Sequence, residues 1–132
     1  MNKKIYLSWE DINELLDKIH EQVKDSILYV SGLPRGGTIL AIMYSHRFGV
    51  KYIHNMRNNY VNLLILDDIV DSGETLLDLR KTMLNPLIAT LHYKSTSKAK
   101  PDYYAQELQN DGWIVYPWEK KDSKEIQDYL DI

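Results

Sequence analysis

The sequence has no cysteine, which excludes disulfides, thiolate metal ligands and a thiol nucleophile. It has no basic excess either. Lys and Arg number 16 against 19 Asp and Glu, a formal charge of −3, which argues against a general nucleic-acid binder. No stretch approaches the ~18 apolar residues of a membrane span, and the opening MNKKIYLSWED has no apolar run of signal-peptide length. The expectation is a cytoplasmic protein with neither membrane nor nucleic acid as partner. Internal repeats and low-complexity tracts are missing too. What remains is a chain of 132 residues, 44% hydrophobic, enough for one core and not two. His20, His46 and His92 fall in predicted regular elements without metal-ligand spacing, so structural or surface roles are expected for them.

Ser8-Trp9-Glu10-Asp11 has a capping-box pattern ahead of a helical stripe of Trp9, Ile12, Leu15, Leu16, Ile19 and Val23. Ile27–Val30 reads as a buried strand, followed by a Gly/Pro-rich loop from Ser31 to Gly37. A second helix is expected over about Thr38–Arg47, ended by Gly49. A strand over Val50–Ile53, a polar loop over His54–Asn62 and a four-residue strand over Leu63–Leu66 come next. A third helix is expected from Glu74 to Met83, stopping before Asn85-Pro86, and then a strand over Leu87–Tyr93. This alternation predicts an α/β fold, a central parallel sheet flanked by helices. Beyond Lys94 the pattern changes. Tyr103–Leu108 is a strand or short helix, Asn110-Asp111-Gly112 a turn, Trp113–Tyr116 a strand and Ser123–Leu130 a terminal helix. Residues 1–132 read as one domain, with a core over about 24–94 and a small C-terminal hood from about 95 to 122 plus the terminal helix.

The chemistry concentrates in Leu63–Leu76, LLILDDIVDSGETL. Asp67 and Asp68 follow the apolar strand and, as strand neighbours, point to opposite sides. Such a pair suits vicinal hydroxyls, or a hydroxyl pair and a metal. Asp71-Ser72-Gly73-Glu74-Thr75 then turns tightly into a helix. The amides of the helix start and the hydroxyls of Ser72 and Thr75 would cradle an anion, with Gly73 allowing close approach. The blander reading is a strand with Asp71 or Ser72 as an N-cap. A third reading is a Mg²⁺-binding acid cluster of a phosphatase or receiver domain, but the Asp-x-Asp-x-Thr spacing and a first-strand position are both lacking.

LLILDDIVDSGET resembles the phosphoribosyl pyrophosphate motif of the type I phosphoribosyltransferases: apolar residues, two acids, two apolar residues, then Asp-Ser-Gly-x-Thr. Val30-Ser31-Gly32-Leu33-Pro34-Arg35-Gly36-Gly37 resembles the family's pyrophosphate loop. Trp113-Ile114-Val115-Tyr116-Pro117-Trp118-Glu119 resembles the hood of its xanthine-guanine and other 6-oxopurine members. The likeness spans about Ile27 to Glu119.

The resemblance implies a Rossmann-like fold and transfer of a 5-phosphoribosyl group from phosphoribosyl pyrophosphate to guanine, xanthine or hypoxanthine, with Mg²⁺ as cofactor. It assigns Asp67 and Asp68 to the ribose hydroxyls and metal, and Ser72, Gly73, Glu74 and Thr75 to the 5-phosphate. Arg35, Gly36 and Gly37 go to pyrophosphate, Asp71 to general base at purine N7, Lys94 to the 6-oxygen, Trp113 to stacking, Ile114 to main-chain contacts and Glu119 to the metal. It also implies a homo-oligomer, a dimer or tetramer, and often a cis peptide before the basic residue, here Pro34–Arg35. The departure is the short His54–Asn62 segment, where the family usually carries a long closing loop. That departure keeps a second class open, a binding module for phosphoribosyl pyrophosphate or nucleotide with weak or no catalysis. A pyrimidine or orotate enzyme has less support, because those do not use this tail.

Overall fold

The computed structural model describes residues 4–56, 60–109 and 112–120. The expected terminal helix over Ser123–Leu130 and part of the predicted turn at 110–112 lie outside the described residues.

The Ser8 capping box forms as read. The Ser8 hydroxyl accepts from the Asp11 amide at 3.0 Å and the Asp11 carboxylate accepts from the Ser8 amide at 2.8 Å. It starts helix α1 (Trp9–Val23), which buries Ile12, Leu15, Leu16, Ile19 and Val23. Trp9, placed on the same stripe, stays 49% exposed. A short strand before it, β1 (Lys4–Tyr6), has no counterpart in the sequence reading.

The remaining elements are β2 (Tyr29–Gly32), α2 (Gly36–Phe48), β3 (Lys51–Tyr52), β4 (Leu63–Val70), α3 (Glu74–Thr82), β5 (Leu87–Lys94), β6 (Tyr103–Leu108) and β7 (Trp113–Val115). Gly49 closes α2 in the left-handed conformation, at φ 69°. Five strands form a parallel sheet in the order β3-β2-β4-β5-β6, and β7 pairs with β1 in a separate parallel ribbon. The strand at 103–108, grouped with the hood in the sequence reading, is the fifth strand of the main sheet.

Period-two alternation along β4 feeds both faces. Leu64 and Leu66 join Val30, Ala89, Leu91 and the buried sides of α1 and α2. Leu63 and Ile65 pack on the opposite face with Leu79 and Met83, from and just after α3. Helices therefore cover both faces, which is why the central strands read as continuous apolar runs. His20 sits between α1 and α2, 2.7 Å from the Tyr44 hydroxyl and stacked on Phe48 at 4.0 Å, and His46 is exposed. Their expected structural and surface roles hold. Among the described residues no helix is long and apolar enough to cross a membrane.

One boundary changes the reading of the acids. The strand expected to end at Leu66 runs on to Val70, because β5 keeps pairing with it through Val70↔Tyr93. Asp67 and Asp68 are strand residues, not loop residues, and their backbones are held by a central strand.

Leu64 is fully buried between the helices and the sheet. Leu64→Ala should cost about 2–5 kcal/mol of unfolding free energy; urea denaturation would show it as a lower midpoint with an unchanged slope.

Candidate active site

The order β3-β2-β4-β5-β6 reverses direction between β2 and β4. In open parallel sheets such a reversal leaves a crevice beyond the C-terminal strand ends, where ligands bind. Three segments meet there: the loop after β2, the end of β4 with the turn into α3, and the end of β5.

The β2 loop is short and pressed against β4. A β-carbon on Gly37 would collide with the Leu66 carbonyl, and one on Gly36 would collide with the Asp68 carboxylate. Gly36 and Gly37, expected in a loop, are the first residues of α2, with Arg35 as its exposed N-cap. The loop thus delivers a helix N-terminus, whose amides carry partial positive charge, to the edge of Asp68. The Pro34–Arg35 peptide is cis, as the resemblance implied.

The carboxylates of Asp67 and Asp68 each accept from the next backbone amide, Asp68 N at 2.9 Å and Ile69 N at 2.8 Å. Past Val70 the chain enters the turn Asp71–Gly73. Gly73 is the N-cap of α3, at φ 89°, a conformation that favours glycine. Neither Asp71 nor Ser72 takes that position, so the N-cap reading fails; the Ser72 hydroxyl accepts from Glu74 N at 3.3 Å. The space beside Gly73 is filled by the chain itself: a β-carbon there would meet the amide of Ala99 at 2.6 Å. The 95–102 connection passes over the start of α3, and Lys98 N donates to the Ser72 carbonyl at 2.9 Å. Lys98 Nζ also reaches Glu74 at 3.3 Å. Thr75 is half-buried in the first turn of the helix.

Lys94, the last residue of β5, places Nζ 3.0 Å from Asp71 Oδ1, with side chains 16% and 33% exposed. Two residues far apart in sequence and given complementary roles are therefore in direct contact.

No family model matches the chain. A xanthine-guanine phosphoribosyltransferase of Cereibacter sphaeroides is 25% identical over 146 aligned positions, covering 89% of this chain and 87% of that protein. Among solved structures, a purine phosphoribosyltransferase from Pyrococcus horikoshii superposes with a TM-score of 0.77 at 24% identity, covering 95% and 99% of the two chains. The xanthine-guanine-hypoxanthine phosphoribosyltransferase of Helicobacter pylori gives 0.70 at 20% identity, covering 89% and 93%. The chain thus shares its fold with purine phosphoribosyltransferases of known structure and is similar in sequence, at 25% identity, to a xanthine-guanine phosphoribosyltransferase.

The segment expected to form a hood is described over residues 112–120. Trp113 starts β7 opposite Lys4 of β1, whose Nζ lies 5.8 Å from the ring centre. Ile114 is buried and pairs with Ile5. Glu119 closes a turn, Oε1 accepting from Tyr116 N at 2.9 Å.

Asp67, Asp68 and Glu119 do not converge as a three-ligand cage, and among the described residues no group of three His, Asp or Glu side chains does. Their oxygen donors nonetheless suit Mg²⁺, which is commonly held by one or two carboxylates and completed by substrate phosphates and water.

The residues missed by sequence reasoning are aromatic. Tyr116 stacks on Trp118 at 5.1 Å with planes 4° apart, and Trp118 lies 5.9 Å from Trp9. Trp118 also approaches Gly36, within 3.4 Å of where a β-carbon would stand. The run Tyr116-Pro117-Trp118 was visible, but nothing local says what it stacks on. His92 is fully buried, its Nδ1 2.9 Å from the Tyr116 hydroxyl. Burial lowers its pKa to about 4.

That shift has a sign. Between about pH 6.5 and 4 the unfolded chain protonates His92 and the folded chain does not, so stability falls as pH falls through this window, by up to ~3 kcal/mol. Thermal melts from pH 7.5 to 4.5 should show the slope in the wild type and a shallower one in His92→Leu.

Proposed function

We propose that the chain transfers the 5-phosphoribosyl group from phosphoribosyl pyrophosphate to a 6-oxopurine, guanine, xanthine or hypoxanthine, releasing pyrophosphate. The observation that carries this is the 3.0 Å contact between Lys94 and Asp71. It puts a cation that suits a carbonyl oxygen and repels a 6-amino group beside a carboxylate able to take a ring proton. The fold alone does not choose a base; this pair, with the Trp113-Ile114 hood sequence, supports the 6-oxopurine.

The reaction breaks the bond from ribose C1 to a pyrophosphate oxygen and forms one to a purine nitrogen, with inversion. Positive charge grows on the ribose as the partners separate, so catalysis rests on positioning and charge. The α2 N-terminus, with Arg35, Gly36 and Gly37, takes the leaving pyrophosphate. Ser72, Gly73, Glu74 (main chain) and Thr75 hold the 5-phosphate at the start of α3. Asp67 and Asp68 orient the ribose hydroxyls, and with Glu119 they are the residues that would hold Mg²⁺. When bound, Mg²⁺ neutralises charge on the pyrophosphate. Lys94 turns from Asp71 to the purine 6-oxygen, which leaves the Asp71 carboxylate able to accept the N7 proton. Trp113 supplies a ring face for stacking and Ile114 main-chain groups for the purine edge.

A second reading is a nucleotide or phosphoribosyl pyrophosphate binder with little turnover. It is favoured by one feature, the connection of only residues 53–62 between β3 and β4, where a closing loop would stand. A partner subunit in a dimer or tetramer would be one way to cover the site.

A radiolabelled-base assay with phosphoribosyl pyrophosphate and Mg²⁺, run in parallel with guanine, xanthine, hypoxanthine and adenine, separates the readings. Nucleotide is expected from the 6-oxopurines and not from adenine. Binding of phosphoribosyl pyrophosphate with no product from any base would establish the second reading. Asp71→Asn should keep that binding while lowering turnover by about 10²–10⁴-fold; unchanged turnover would remove Asp71 as the base.

A further inference from the structure

The buried link between His92, Tyr116 and Asp68 lies outside every role assigned so far. The Tyr116 hydroxyl is 3.1 Å from the Asp68 carbonyl and 2.9 Å from His92 Nδ1. A carbonyl can only accept, so the hydroxyl donates to Asp68. It therefore accepts from His92, which carries its proton on Nδ1.

The Asp68 carbonyl needs this partner. On the same edge of β4, Leu66 O accepts from Leu33 N at 3.0 Å, and pairing with β2 ends at Gly32↔Leu66. Two residues further on, the Asp68 carbonyl points the same way, where β2 has already turned off into the glycine loop. The Tyr116 hydroxyl takes the place of the missing strand. The same residue stacks on Trp118 and donates its amide to Glu119, so one side chain ties β4 to the hood beside Gly36.

We infer that Tyr116, oriented by His92, is a positioning residue that sets the Asp68 carboxylate against the α2 N-terminus and so tunes the pyrophosphate end of the site, not the purine end. The inference rests on the function proposed above. Its kinetic signature is selective, because Lys94 and Trp113 lie outside the link.

Tyr116→Phe keeps the ring stack and removes only the hydroxyl. The KM and calorimetric Kd for phosphoribosyl pyrophosphate with Mg²⁺ should rise about tenfold, the scale of one lost hydrogen bond, while the KM for guanine stays within about twofold. His92→Asn, which keeps a donor near the Nδ1 position, should stay close to wild type, and His92→Leu should follow Tyr116→Phe. If Tyr116→Phe proves too unstable to purify, the two His92 variants make the same comparison. A phosphoribosyl pyrophosphate KM unchanged in the folded variants, equal rises for both substrates, or equal behaviour of His92→Asn and His92→Leu would overturn the inference. A wild type that neither binds phosphoribosyl pyrophosphate nor forms product would overturn the proposed function and this inference with it. An active wild type with unaffected variants would overturn this inference alone.

Discussion

The parallel ladder between β2 and β4 stops at Gly32 and Leu66, and the site depends on that early stop. Had β2 run on beside β4, its backbone would fill the crevice. Because it turns away, the glycines can press against β4, the N-terminus of α2 comes to the edge of Asp68, and the last residues of β4 run on past the end of the β2 ladder. The same stop creates the demand that Tyr116 meets from the hood. Close packing requires that Gly36 and Gly37 have no side chain, since a β-carbon on either would strike Asp68 or the Leu66 carbonyl.

Acid and base are distributed by backbone support. Asp67 and Asp68 sit on a strand paired to β5 up to Val70, so they are held stiffly. Asp71 sits in the turn beyond it and is restrained by the Lys94 ion pair. The turn is itself braced by the 95–102 connection, which crosses the start of α3 and fills the space that Gly73 leaves open. Rigid carboxylates for orientation and a restrained but releasable one for proton transfer agree with the roles proposed for them. A charge pair of this partial exposure is weak enough to exchange partners with a substrate.

Much of the core was legible because it is periodic. The α1 stripe of Ile12, Leu15, Leu16, Ile19 and Val23, its Ser8 cap and the run Leu63–Leu66 are local patterns with local causes. Trp9 left its stripe, exposed on one side while lying against Trp118. The end of β4 was misplaced because acidic residues read as loop, whereas pairing with β5 carries the strand through them. β1 and β6 were hard to read for a related reason. A three-residue strand such as Lys4–Tyr6 has no period of its own and exists only because β7 lies beside it.

The sequence by itself determined which chemistry is available: acids in the order Asp67, Asp68, Asp71, a glycine turn at Gly73, a basic glycine loop at Arg35, and no thiol anywhere. Local spacing suffices for that, because strand, turn and helix start are contiguous. Only the tertiary structure decided which of these groups meet. Lys94 meets Asp71 because β4 and β5 are neighbours in the sheet, and Tyr116 meets both His92 and Asp68 because the hood folds back over the strand ends. Contacts between residues so distant along the chain are set by strand order and by unmet backbone hydrogen bonds, and neither is written in any single stretch of sequence.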